Sequence, residues 1–158
     1  MLTGAQAGLQ GQRSVQLQLQ FAGVAAAEIE TDPAAVEIGE KILAKAKSLL
    51  DEGGEIVLLT IIEDIPGYLA IVVPVDLIEG AINDAKAKLV AIKEKAEVKA
   101  HIEIRSGAPA REILATAEEH KADLIIVGSH VPDFSNYFIG ATADRVVRHS
   151  KISVLVDR

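Results

Sequence analysis

Along the chain the spacing of apolar positions changes several times, and each change predicts an element. Val36, Ile38, Ile42, Leu43, Leu49 and Leu50 recur at helical spacing; Thr31 or Asp32 can cap that helix, Pro33 sits in its first turn, and Gly53-Gly54 stops it. The apolar run EIVLLTII (55–62) reads as a buried strand, and EDIPGYLAIVVPV (63–75) as an irregular, partly apolar connection. A second helix over about 77–97 carries Ile78, Ile82, Ala85, Leu89 and Ile92 along one side. From 98 to 107 the period drops to two, with Val98, Ala100, Ile102 and Ile104 on one face of a strand. A helix over 109–120, the short, mainly apolar strand ADLIIVG (122–128), a helix over 140–149 and the strand ISVLV (152–156) complete the series. Strands alternating with helices predict a parallel sheet covered on both faces, with right-handed crossovers.

The first 30 residues do not fit that series. All six glutamines lie within residues 1–20, the first acidic residue is Glu28, and the first lysine is Lys41. Within SVQLQLQF (14–21), Val15, Leu17, Leu19 and Phe21 alternate with polar residues, the period of a strand buried on one face. Such a strand is expected to sit poorly in the middle of a parallel sheet, whose strands are buried on both faces. Two readings stay open: a polar tail or atypical first strand, or residues encoded from a misplaced start or a shifted frame. The organisation is therefore an atypical segment, 1–30, ahead of one domain, 31–158.

Composition narrows the class. At 158 residues the chain has the size of one domain, and with 49% hydrophobic but only 3% aromatic residues its core must be built from Ala, Val, Ile and Leu. A formal charge of −7 argues against nucleic-acid and anionic-membrane partners. The longest apolar run, 69–75, is interrupted by Pro74 and falls far short of the roughly 20 residues of a membrane helix. The first residues lack a basic stretch followed by an apolar core, so no secretory leader is expected. With no cysteine, thiol and disulfide chemistry is excluded, and a cytoplasmic location is expected.

Candidate chemistry concentrates in VGSHVPDFSNYFIG (127–140), which leaves a strand at Gly128 and reaches Gly140 just before a helix. Strand carboxyl ends and helix N-termini present unpaired N–H groups, and the small side chains of Gly140 to Ala143 would let a phosphate approach them. Neither the Rossmann glycine pattern nor the P-loop is present.

Gly128-Ser129-His130, then Gly140, then a helix leading into VVRHSKISVLV (146–156) resembles the C-terminal nucleotide loop of the universal stress protein (UspA-like) superfamily. GAPAREILATAEEHKADLIIVGSH (107–130) is similar to that family's Gly-x-Pro, helix and Asp-φ-φ-φ-Gly-Ser-His sequence, and GGEIVLLTIIED (53–64) to its second strand. Val131 stands where many members have a second glycine, and Gly140 arrives one residue early; this shorter form, with Ser129, His130, Pro132, Asp133, Tyr137 and Gly140, is closest to the F/G-type branch. The resemblance implies a three-layer α/β sandwich with a mainly parallel, open twisted sheet of about five strands, the adenine nucleotide alpha hydrolase-like architecture. It further implies a site for ATP or a related adenine nucleotide. Val127, Gly128, His130 and Val131 would face ribose and triphosphate, Gly140, Ala141 and Thr142 the phosphates, and Ile61 the adenine. Ala141 replaces the serine usual in the family, and GVAAAEIETDP (23–33) can be laid over its first strand with Glu28 in the position of the base-side Asp. Any Mg²⁺ would be held mainly by the phosphates. Pairing of the final strand, 152–156, with a second copy is implied as well, giving a homodimer and a nucleotide-responsive stress regulator. The alternatives are a nucleotide-free dimeric scaffold acting through protein partners, or a slow ATPase.

Blander readings stand beside these. Ser129 has no partnered histidine and acid, no residue is assigned a catalytic role, and no His/Asp/Glu set has metal-ligand spacing. His130 in its turn could equally satisfy local backbone groups instead of a ligand; His101, His120 and His149 read as surface residues, Arg145 and Arg148 as a solvated helix face rather than phosphate ligands, and Gly107 and Pro109 as a turn.

Overall fold

A computed structural model describes residues 14–18, 33–63, 74–128 and 140–157. Its elements are β1 (Ser14–Gln18), α1 (Pro33–Leu49), β2 (Glu55–Ile62), α2 (Val75–Ala96), β3 (Ala100–Ser106), α3 (Pro109–Glu119), β4 (Leu124–Gly128), α4 (Ala141–His149) and β5 (Ser153–Asp157). The strands pair in the order β3-β2-β1-β4-β5, and every pairing is parallel.

Alternation along the buried strands sends side chains to opposite faces. Ile56 and Leu58 of β2 and Ile126 of β4 pack with Ile42, Leu43 and Ala46 of α1 and Leu89 and Ile92 of α2. Leu59 and Ile61 of β2, with Ile125 and Val127 of β4, pack instead with Ile113 and Ala117 of α3 and Ala143 and Val146 of α4. The sheet therefore carries α1 and α2 on one face and α3 and α4 on the other, each over its own apolar cluster.

Local chemistry sets the element ends. Pro109 opens α3 at its first turn, where a missing N–H costs nothing, and Pro74 precedes α2. Gly107 joins β3 to α3 at φ 136°, with its N–H donating to the Ile62 carbonyl at 3.1 Å. At the other end of α2, Lys47 Nζ donates to the Ala96 carbonyl at 3.0 Å, and Lys95 pairs with Glu40 at 2.7 Å, so α1 and α2 are tied by charge above their apolar contact.

One expectation is overturned. Ser14–Gln18 does not avoid the middle of the sheet: it lies between β2 and β4, with Leu17 level with both Leu58 and Ile126. A parallel ladder is made by the backbone, and without β1 both β2 and β4 would present unpaired N–H and C=O groups inside the molecule. The proposed caps Thr31 and Asp32 and most of the connection 63–75 lie outside the described residues.

Candidate functional site at the switch point of the sheet

The strand order reverses direction between β1 and β4: from β1 the chain builds outward through β2 to β3, and from β4 it builds the other way to β5. After β1 the chain passes to α1 on one face, and after β4 to α4 on the opposite face. Two connections diverging in this way leave a crevice at the strand carboxyl ends, the usual ligand position in open α/β sheets.

Register fixes what borders that crevice. Leu59, Gln18, Val127 and Val156 form one row across the sheet, and Gly128 and Asp157 lie one residue further toward the carboxyl end. Ile61 lies two residues beyond Leu59 on β2, level with Arg105 of β3. Val127 and Ile61 are both fully buried, in the same cluster as Ile113 and Ala143, so each packs beneath the rim as part of the core.

On the α4 side, Gly140 occupies the N-cap position at φ 77° and ψ 146°, a conformation that side chains disfavour and glycine tolerates. Gly140 has no side chain to cap the helix, and helix N-termini present N–H groups that suit an anion. Ala141 is exposed and supplies no hydroxyl; Thr142 is half-buried and Ala143 buried. Asp144 places a negative charge in the same turn, where its carboxylate accepts from Arg148 Nε at 2.9 and 3.0 Å. Arg148 is thereby engaged along an exposed helix face, as is typical of i, i+4 pairs, and Arg145 and His149 are also exposed.

Of the sequence-derived site residues, Val127 and Gly128 stand at the carboxyl end of β4, Gly140, Ala141 and Thr142 at the start of α4, and Ile61 near the end of β2, two strands from β4. Glu28, His130 and Val131 lie outside the described residues, as do Ser129, Pro132, Asp133 and Tyr137. No group of three His, Asp or Glu side chains among the described residues is arranged to hold a metal.

A second polar feature was not anticipated from the sequence. His101, Glu103 and Arg105 share the α3-facing side of β3, opposite Ile102 and Ile104, which pack toward α1 and α2. Arg105 Nε donates to Glu103 at 3.1 Å, and its guanidinium clasps both carboxylate oxygens of Glu119, one of them at 3.1 Å. Glu103 also accepts a short hydrogen bond from His120 Nε2, with His101 Nε2 at 3.6 Å from the same oxygen. His120 is thus half-buried and bonded rather than a free surface residue. Burial pushes the Glu103 carboxyl up, but bonds from His120 and Arg105 outweigh it and hold the group below the ordinary glutamate range. The strictly polar odd positions of β3 were the available signal; their partners lie 14 and 17 residues further along.

The sequence model described as Universal stress protein family matches residues 22–158. Universal stress protein G of Shigella flexneri is 35% identical over 65 residues, 41% of this chain and 44% of that protein. Universal stress protein MJ0531 of Methanocaldococcus jannaschii is 36% identical over 75 residues, 47% of this chain and 44% of that protein. The matched stretch therefore spans less than half the length of these curated relatives. Among solved structures, hypothetical protein MJ0577 superposes with a TM-score of 0.64 at 26% identity, covering 89% of this chain and 93% of that one. A universal stress protein in complex with cAMP gives 0.53 at 20% identity, over 93% and 97% of the two chains. One from Archaeoglobus fulgidus in complex with dAMP gives 0.58 at 14% identity, over 92% and 98%. At those identities the last two likenesses concern the fold alone.

Proposed function

The chain belongs to the universal stress protein family, and on that footing we propose that it binds ATP or a related adenine nucleotide at the β1/β4 switch point and acts as a nucleotide-responsive stress regulator. The proposal includes the whole architecture, a three-layer sandwich on one open sheet, and a cytoplasmic homodimer joined through β5. The observation that supports it most is the reversal of strand order between β1 and β4, with β4 ending at Gly128 and the α4 that follows opening at Gly140. Fold relatives in complex with cAMP and dAMP make an adenine nucleotide the natural candidate.

In this reading the N–H groups of Ala141 and Thr142 donate to phosphate oxygens, and the Thr142 hydroxyl partly replaces the donor that Ala141 lacks. Glu28, His130 and Val131 would complete the base and ribose side, with Ile61 and Val127 as the apolar floor beneath it. Mg²⁺, where present, would be carried by the phosphates. No residue is assigned to hydrolysis.

Mass analysis of small molecules released from the purified protein, paired with thermal unfolding in the presence and absence of Mg-ATP, tests the proposal. A released adenine nucleotide, or a rise in Tm that grows with ATP concentration, is expected. Finding neither would favour the nucleotide-free scaffold, to which Ala141 already lends weight.

A further inference from the structure

We infer that Gly128 lacks a side chain in order to seat α1 against the end of β4, and that Ile38 and Ile42 are positioning residues for that strand end. A Cβ placed on Gly128 would lie 2.5 Å from Cγ2 of Ile38 and 2.8 Å from Cδ1 of Ile42. Carbon atoms in comfortable contact stand about 3.5–4.0 Å apart, so the space a side chain would need is already filled by protein.

Backbone freedom does not explain this glycine. Gly53, Gly107 and Gly140 have positive φ, whereas Gly128 does not. The two glycines that bracket the loop therefore differ in kind: Gly140 is required by its dihedral angles, and Gly128 by its neighbours on α1.

Nor can those neighbours readily yield. Cγ2 of Ile38 hangs directly on Cβ and moves only if χ1 leaves its well, and a β-branched side chain in a helix has one strongly preferred χ1. Ile42 is fully buried, packed in the cluster that includes Leu43 and Ile126. Helix α1 follows β1 in the chain and Gly128 ends β4, so this contact locks together the two strands that flank the switch point. For its ligand-binding consequence, though not for the packing, the inference rests on the proposed nucleotide site.

Three full-length variants test it: Gly128→Ala, Ile38→Ala and the double substitution, each followed by thermal unfolding and by calorimetric titration with Mg-ATP. Gly128→Ala should lower Tm by on the order of 5 °C and weaken ATP binding about tenfold or more. In the Ile38→Ala background the terminal methyl of Ile42 can swing into the vacated space. There the same change should cost little further Tm and leave ATP affinity close to that of Ile38→Ala alone. Additive losses in Tm, or a Gly128→Ala protein as stable as the parent, would overturn the inference. So would a double variant with coupled Tm but affinity still lost, since the space would then belong to the nucleotide. If the parent itself takes up no ATP, the nucleotide proposal fails, and the Tm cycle alone decides whether Gly128 serves α1.

Discussion

Glu103 draws its charge state from two elements at once. His120 at the end of α3 and Arg105 on its own strand both donate to it, and together they hold its carboxyl below the ordinary glutamate range against the opposing effect of burial. A carboxyl depressed in the folded state contributes stability that is complete above its unfolded value, roughly 4.3, and is lost as pH falls through the folded value. Glu103→Gln should therefore lower Tm at neutral pH, by the equivalent of about 1 kcal/mol for a half-exposed network. The gap to the parent should close as pH drops below about 4. Paired melting curves from neutral to acid pH check this, and a gap that stays constant would assign Glu103 to packing rather than charge. The sequence displays the alternation that puts Glu103 and Arg105 on one face, but not the helix end that meets them. Gly128 and Gly140 are equally conspicuous in the sequence, yet only the fold distinguishes a glycine held by its neighbours from one held by its dihedral angles.

Among the elements, β2, β4 and α3 are legible because each carries a pattern with one reading: an apolar run for the two strands, interrupted in β2 by Thr60, and a proline start with helical spacing for α3. The placement of β1 is not legible. Central strands of a parallel sheet are usually apolar on both faces, and the alternation over 14–18 lacks that mark; the place of β1 rests instead on backbone pairing with two neighbours. The family match begins at residue 22, beyond the last residue of β1, so the segment that fills the central position stands outside the matched stretch. Leu17→Pro separates a central strand from a tail. Proline cannot donate to a ladder and is confined to sheet edges, so in the centre it should cost at least about 2 kcal/mol and lower Tm markedly. Parent-like melting would place residues 14–18 outside the folded core. The candidate site shares this division: its glycine-bracketed loop can be read from sequence, while its border with β1 exists only through pairing.

At the scale of the whole molecule the two sheet edges are unlike, and the difference says where a second copy would add. An open edge offers unpaired backbone groups, and proteins commonly protect such edges with charge. β3 is protected: His101, Glu103 and Arg105 line one of its faces in a network of ion pairs. β5 is not. Val154 and Val156 pack toward α3 and α4, Leu155 packs toward α1 and α2, and the strand's one charged residue, Asp157, stands at its carboxyl end. A strand whose middle is apolar on both faces behaves as one meant for the interior of a sheet, and a two-fold axis beside it would place it there without creating a new edge. Sedimentation equilibrium should accordingly return twice the 16.7 kDa of one chain at micromolar concentration. Dilution to the monomer should release hydrogen-exchange protection in residues 153–157 while leaving β3 unchanged. A chain that sediments as a monomer throughout, or a dimer whose dissociation releases β3 instead, would remove β5 as the interface.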